Sequence, residues 1–207
     1  MIAGRAVDLR PLEASDVDLL HALADDPAVA QAVVGWAPPV GRGERAEHLA
    51  ASLADPRTRR LVVVERDGGD VGLTGLWDVD HREGTATTGL RLRRDAWGRG
   101  LGTDAVLTLM AWAFHDVGLR RLETTILDFN AASLALYVDR CGWTVEGRER
   151  EAQWRGGRWC DRYRLGILRA DLDGVPGAAE HVARIVGVDV TPAAARDVAT
   201  GPRPAAD

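Results

Sequence analysis

Lysine is missing from this 207-residue chain: all 26 basic residues are arginine, set against 31 acidic ones for a formal charge of −5. That balance is poorly suited to nucleic acid, whose binding rests on neutralising phosphates, and better suited to small cations or peptide amines. Cysteine is scarce, with only Cys141 and Cys160. Neither belongs to a CxxC pair or lies near a histidine cluster, so no disulfide framework and no metal site are expected. Aromatic residues make up only 5%, and most of them are tryptophan. No apolar run approaches the ~18 residues of a membrane-spanning helix. The first residues carry Arg5, Asp8, Arg10, Glu13 and Asp16 and hold no apolar stretch of the secretory-leader type. A cytoplasmic protein with neither membrane nor nucleic-acid partners is expected.

What is present is an ordinary globular mixture, 46% hydrophobic and 28% charged, in a chain long enough to bury a full core. Val7–Leu12 alternates as a strand. Ser15-Asp16 opens a helix to about residue 24, and Pro27 opens a second, short one. Residues 33–43 are rich in Pro and Gly, read as loop, and carry Trp36. Glu44–Leu53 is helical in pattern and is stopped by Asp55-Pro56. Three strands follow, Arg60–Arg66, Val71–Val79 and Thr85–Arg93, the first two joined by the turn Asp67-Gly68-Gly69-Asp70. The longest helical stripe, Val106, Leu109, Met110, Ala113 and Val117, spans about residues 100–117, with Gly118 as its cap. A strand (Leu122–Leu127), a helix from Asn130, and strands from Trp143 and through Trp159–Ile167 complete the pattern. Strands alternating with helices, but also paired in hairpins, define an α/β (α+β) fold with a mixed sheet. Residues 1–170 form the expected domain, and residues 171–207 an Ala/Pro/Gly-rich appendage.

The informative stretch is Leu90–Ala105, where Gly98, Gly100 and Gly102 stand between a strand and the long helix. Glycine lets a ligand approach the backbone, and the first turn of a helix presents free N–H groups and positive partial charge to an anion. Arg94 and Arg99 add charge at the same place. The residues alone fit either a phosphate cradle or a glycine-rich connection without a ligand. Thr103 breaks the GxGxxG spacing, and no Gly-Lys-Ser/Thr sequence is present.

At these residues the chain resembles the GCN5-related N-acetyltransferases. That family's acyl-CoA signature, Arg/Gln-x-x-Gly-x-Gly/Ala, is matched in its second half by Gly100-Leu101-Gly102. Trp97 stands in the Arg/Gln slot, and the run Trp97-Gly98-Arg99-Gly100-Leu101-Gly102-Thr103-Asp104-Ala105 is similar to the form found in the RimJ/RimL-like branch. Asn130-x-x-Ser133, Cys141-Gly142-Trp143 and the hairpin through Gly157-Arg158 to Leu168-Arg169 extend the resemblance over residues 7–171.

The resemblance implies a mostly antiparallel central sheet, flanked by helices, whose fourth and fifth strands splay to admit pantetheine. Acetyl-CoA would be the co-substrate, and an amine acceptor, either a small molecule or a peptide or protein amine, would attack the thioester directly. The backbone of Leu90, Arg91 and Leu92 would pair with the pantetheine arm. Arg94, Trp97, Gly98, Arg99, Gly100, Leu101, Gly102 and Thr103 would hold the diphosphate, and Asn130 and Ser133 would contact the arm. A backbone N–H at Leu92 would stabilise the oxyanion. Tyr137, seven residues after Asn130, would return a proton to the thiolate, with Ser133 as the alternative. One residue too many separates Tyr137 from Gly142, so either the helix bulges there or Tyr137 is core. The glutamate that many relatives carry is replaced by Thr87, and no base is assigned among Asp78, Asp80, His81 and Glu83. Trp36 and Asp78 are the expected acceptor contacts, while Trp77 and Trp154 read as core covers. Arg91 and Arg93 leave a succinyl-type donor open, and a non-catalytic acyl-CoA-binding module is the alternative to an enzyme. Dimers are common in the resembling branch.

Overall fold

The computed structural model describes residues 1–34 and 40–187. Its eight strands form a single sheet in the order β1-β2-β3-β4-β5-β6-β8-β7. They are β1 (Ile2–Ala3), β2 (Val7–Pro11), β3 (Arg59–Glu65), β4 (Gly69–Asp80), β5 (Thr85–Leu92), β6 (Arg121–Leu127), β7 (Thr144–Arg155) and β8 (Arg158–Leu168). Helices α1 (Val17–Asp25), α2 (Pro27–Ala32) and α3 (Arg42–Ala54) precede β3. Helix α4 (Leu101–His115) links β5 to β6, α5 (Ala131–Leu134) follows β6, and α6 (Ala178–Val186) follows β8. The two-residue β1 was not expected, because two residues are too few to show an alternation. It adds one to the strand count, so the expected fourth and fifth strands are β5 and β6.

Every pairing is antiparallel except β5 with β6. That parallel pair is short: Thr85, Ala86 and Thr87 register with Arg121, Leu122 and Glu123, and the ladder goes no further. The expected splay is therefore present. The Thr124 hydroxyl donates to the Thr88 carbonyl at 2.7 Å and marks the point where the strands part.

The faces of the sheet differ. On one, Val7, Leu9, Leu61, Val63, Leu76, Ala86 and Leu122 pack against α4 through Leu109, Met110 and Phe114. Each large side chain so buried contributes about 1.5–3 kcal/mol. On the other, a smaller cluster of Leu12, Leu20, Leu49 and Val62 lies under α1 and α3. Helix α4 ends at His115, two residues short of the expected stripe. Gly118 (φ +80°) then turns the chain so that the Leu119 N–H returns to the Ala113 carbonyl at 2.9 Å. The boundary expected at residue 170 falls inside the core, since Leu172, Val175 and Ala178 are buried in the same cluster as Leu109 and Phe114. Composition hid this, because those few apolar residues stand among Gly, Ala, Pro and Asp.

Candidate active site

The site is built at the fork between β5 and β6. The Arg93 N–H donates to Val71 O at 2.8 Å, so residue 93 turns its backbone toward β4. Backbone direction alternates along an antiparallel strand, which turns Leu90 and Leu92 toward the fork. Two bonds agree: Thr88 O receives the Thr124 hydroxyl, and Leu92 O receives Trp97 Nε1 at 3.0 Å. Beyond Thr88 the fork-facing groups of Leu90 and the Leu92 N–H form an open edge with no strand opposite among the described residues. An extended chain of amides is the natural partner for such an edge.

At the mouth of the fork, Gly98 (φ +71°) and Gly100 (φ +81°) occupy left-handed conformations, with no atom within 4 Å of where a Cβ would stand. Gly100 caps α4, and the N–H groups of Leu101, Gly102 and Thr103 have no helical carbonyl before them to bond. A Cβ on Gly102 would lie 3.4 Å from both Leu90 Cδ2 and Leu136 Cδ2, so this residue faces into the fork. A glycine-lined turn, free amides and an unpaired strand edge fit a diphosphate continued by a pantetheine arm. The one acid of the first turn, Asp104, points away. It accepts the N–H groups of Arg5, Ala6 and Val7 and an imidazole nitrogen of His181 at 2.8 Å, which offsets its charge.

The expected arginines are present but engaged. Arg94 pairs with Asp26 at 2.8 Å, and Arg99 pairs with Glu65. A guanidinium has five N–H donors, so such a pairing still leaves donors for phosphate. Trp97 is about half exposed and is fixed by its bond to Leu92 O.

The helix after β6 resolves the spacing problem at Tyr137. Asn130 Oδ1 caps it by accepting the Ser133 N–H at 3.1 Å, and the chain passes from α5 into a π-turn over Ala135–Arg140. The turn absorbs the extra residue, and Tyr137 is also core, 3% exposed and packed edge-to-face on Trp143 with centroids 5.1 Å apart. Both expected alternatives therefore hold together. Tyr137 lies beside Thr124, whose own hydroxyl proton goes to Thr88 O, so the phenol sits at the crotch of the fork. Burial above all, with Cys141 nearby, pushes its pKa up, and the phenol keeps its proton.

The opposite side of the fork is the face under α1 and α3. By register it carries Trp77 and Thr87, then Arg60, Gly75 and Gly89, then Leu73 and Arg91. Glu123, beside Thr87 in the parallel pair, belongs to the same face, since its neighbours Leu122 and Thr124 turn to the α4 side. Sequence reading missed Glu123, Arg45 and Arg60, because a residue two strands away in sequence gives no local signal. Asp78 sits on a bulge of β4 with φ +50°, its exposed carboxylate 3.6 Å from Arg57, and no bond ties it to the fork. Arg93 pairs with Asp95 at 2.6 Å. Trp36 lies outside the described residues. Trp154 is half exposed and stacks edge-on against Trp159 at the end of the β7–β8 hairpin, so it covers no core.

A splayed mixed sheet with a glycine turn at its mouth defines an acyl-CoA-dependent acyltransferase. Residues 7–144 match the acetyltransferase (GNAT) domain family, and the chain belongs to that family. It is 26% identical over 170 residues to an uncharacterized N-acetyltransferase p20 of Bacillus licheniformis, covering 80% of this chain and 94% of that one. It is 25% identical over 169 residues to the spermidine N(1)-acetyltransferase of Escherichia coli K12, covering 82% and 89% respectively. The fold is shared with the spermidine N-acetyltransferase of Vibrio cholerae solved with CoA and spermine, at a TM-score of 0.75, 22% identity and coverage of 80% and 97%. The protein is an N-acetyltransferase that takes acetyl-CoA as co-substrate and an amine as acceptor. No helix among the described residues is long and apolar enough to cross a membrane.

Proposed function

We propose that the acceptor is a small-molecule amine, that it enters on the α1/α3 face, and that the acetyl donor comes from the α4 face. The observation that carries this reading is the open β5 edge at Leu90 and Leu92 beside the Gly98–Gly102 turn. Acetyl-CoA supplies the thioester carbonyl. The amides of Gly100 to Thr103, with Arg94 and Arg99, hold the diphosphate; the fork-facing backbone of Leu90 aligns the arm, whereas Arg91, paired with Leu73 of β4, does not face it; Asn130 Nδ2 and the Ser133 hydroxyl contact it. The Leu92 N–H faces the fork and donates to the oxygen where charge develops. An amine must reach the fork uncharged, and Glu123 takes its proton, directly or through water, in place of a glutamate at Thr87. Tyr137 holds the proton that leaves with the thiol. A small acceptor is supported by the spermidine acetyltransferases among the relatives, and the Trp97-Gly98 form of the signature supports placement near the RimJ/RimL-like branch.

Thiol release from acetyl-CoA across an amine panel tests the reaction, and binding of CoA without release for every amine would refute it. Tyr137→Phe should lower kcat by about a hundredfold with little change in KM, the size expected for loss of a general acid. An unchanged kcat would remove Tyr137 from the mechanism.

A further inference from the structure

Three guanidinium groups gather on the acceptor face, and among the described residues no carboxylate pairs with any of them. Arg60 of β3 registers with Gly75, and Gly75 with Gly89, two residues before Arg91 on β5, so Arg60 and Arg91 flank a floor of two glycines. Trp77 bounds that floor on the far side, its ring 3.8 Å from where a Cβ on Gly89 would stand. Arg45 reaches in from α3, close enough that its charge and that of Arg60 are felt at Arg91. The Nε atoms of Arg45 and Arg60 are buried and have no hydrogen-bond partner among the described residues. Among the described residues, none of the three forms an ion pair. Elsewhere Arg10, Arg94, Arg99, Arg121, Arg148 and Arg162 all meet carboxylates.

Burying cations without counter-charge is unfavourable, and placing several together adds repulsion. A folded chain keeps such a cluster at a cost that a bound anion removes. The planar forks of arginine suit carboxylate and phosphate oxygens in particular. Arg91 lies between the two residues whose backbone faces the fork, and its side chain leaves on the face opposite α4. An anion held there would sit beside the acetyl-transfer point, on the side away from the diphosphate.

We propose that Arg45, Arg60 and Arg91 form an oxyanion pocket for the acceptor, so that the amine acetylated by this enzyme carries a carboxylate or a phosphate. The proposal rests on the entry face given above. It separates this chain from polyamine acetylation, because a spermidine ammonium would meet three positive charges where it needs negative ones.

The test uses amines that differ only in the anion: β-alanine against β-alaninamide, and phosphoethanolamine against ethanolamine, with spermidine as the cationic comparator. With acetyl-CoA, kcat/KM should be at least about tenfold higher for an anionic member, and Arg60→Gln or Arg91→Gln should collapse that ratio through KM. Calorimetric titration of β-alanine and phosphoethanolamine into the CoA-loaded protein reads the pocket without turnover, and the binding expected for wild type should vanish in Arg60→Gln. The ligand-free Arg60→Gln protein should melt no lower than wild type, whereas a purely structural arginine would leave it destabilised. Preference for spermidine or the neutral amines, or a ratio that survives both substitutions, overturns the proposal. So does a preference for succinyl-CoA over acetyl-CoA that depends on Arg60, which would place the anion on the acyl group. Failure of all amines to release thiol would count against the proposed reaction, and the titration would still decide the pocket.

Discussion

At Gly102 a Cβ would stand 3.4 Å from Leu90 Cδ2 and Leu136 Cδ2, an ordinary contact distance. The residue lies in the first turn of α4 with no left-handed requirement, so folding alone does not demand glycine. Gly102→Ala should therefore stabilise the ligand-free protein by up to about 1 kcal/mol through helix propensity. The same methyl projects into the fork where the pantetheine arm is to lie, and CoA affinity should fall by about tenfold or more, since the arm loses both space and contact. A thermal melt and a CoA titration on the same variant read the two effects separately. A variant that is more stable and binds CoA normally would remove Gly102 from the cradle. Gly98 and Gly100 differ from it, because their positive φ angles make any side chain costly on backbone grounds, so substitution there would confuse strain with binding.

Among the elements, α4 is tied to residues 5–7 and to α6 through one buried carboxylate. Asp104 accepts three backbone N–H groups of residues 5–7, and His181 of α6 bonds it at 2.8 Å while its other ring nitrogen meets Gly177 O at 2.9 Å. Both partners of the imidazole are acceptors, so both ring nitrogens donate and His181 is protonated. Burial opposes that charge, but the Asp104 and Gly177 contacts outweigh it and hold the imidazole above its ordinary 6.5. Burial likewise opposes the carboxylate, while His181 and the amides of Val7 and Ala6 hold it below its ordinary 3.8. A raised imidazole stabilises fully below 6.5, and its contribution is lost as pH climbs through the folded-state value. A lowered carboxylate stabilises above 3.8 and is lost as pH falls through its own folded-state value. The pair is thus worth most between about pH 4 and 6.5. Melting temperature should decline on the alkaline side, and His181→Gln should flatten that decline; a wild-type profile in the variant would sink the assignment. Asp104→Asn should cost about 3–5 kcal/mol, because it leaves a buried imidazolium unpaired.

Across the whole molecule, what could be read from the sequence was what repeats locally. The alternation of Leu90 and Leu92, the glycines at 98, 100 and 102 and the helical stripe through Leu109 and Ala113 place β5, the cradle and α4 without any knowledge of the partners. The π-turn was visible as a one-residue misfit between Tyr137 and Gly142. The Arg45–Arg60–Arg91 cluster and the neighbouring positions of Thr87 and Glu123 were not visible, because strand register brings them together and register leaves no mark in composition. The C-terminal boundary failed for a related reason. Leu172, Val175 and Ala178 are sparse, yet all three are buried against the main core, and His181 closes over Asp104. A chain cut after residue 170 would uncover this apolar surface, at about 1.5–3 kcal/mol for each large side chain lost, and would strand Asp104 without its cation. Total stabilities of single domains are only about 5–15 kcal/mol, so the truncated protein should fail to melt cooperatively or should melt far below the full chain. Circular dichroism of the two proteins side by side measures this. An unchanged melting temperature would mean that α6 is a passenger on the fold rather than the clamp that neutralises the first turn of α4.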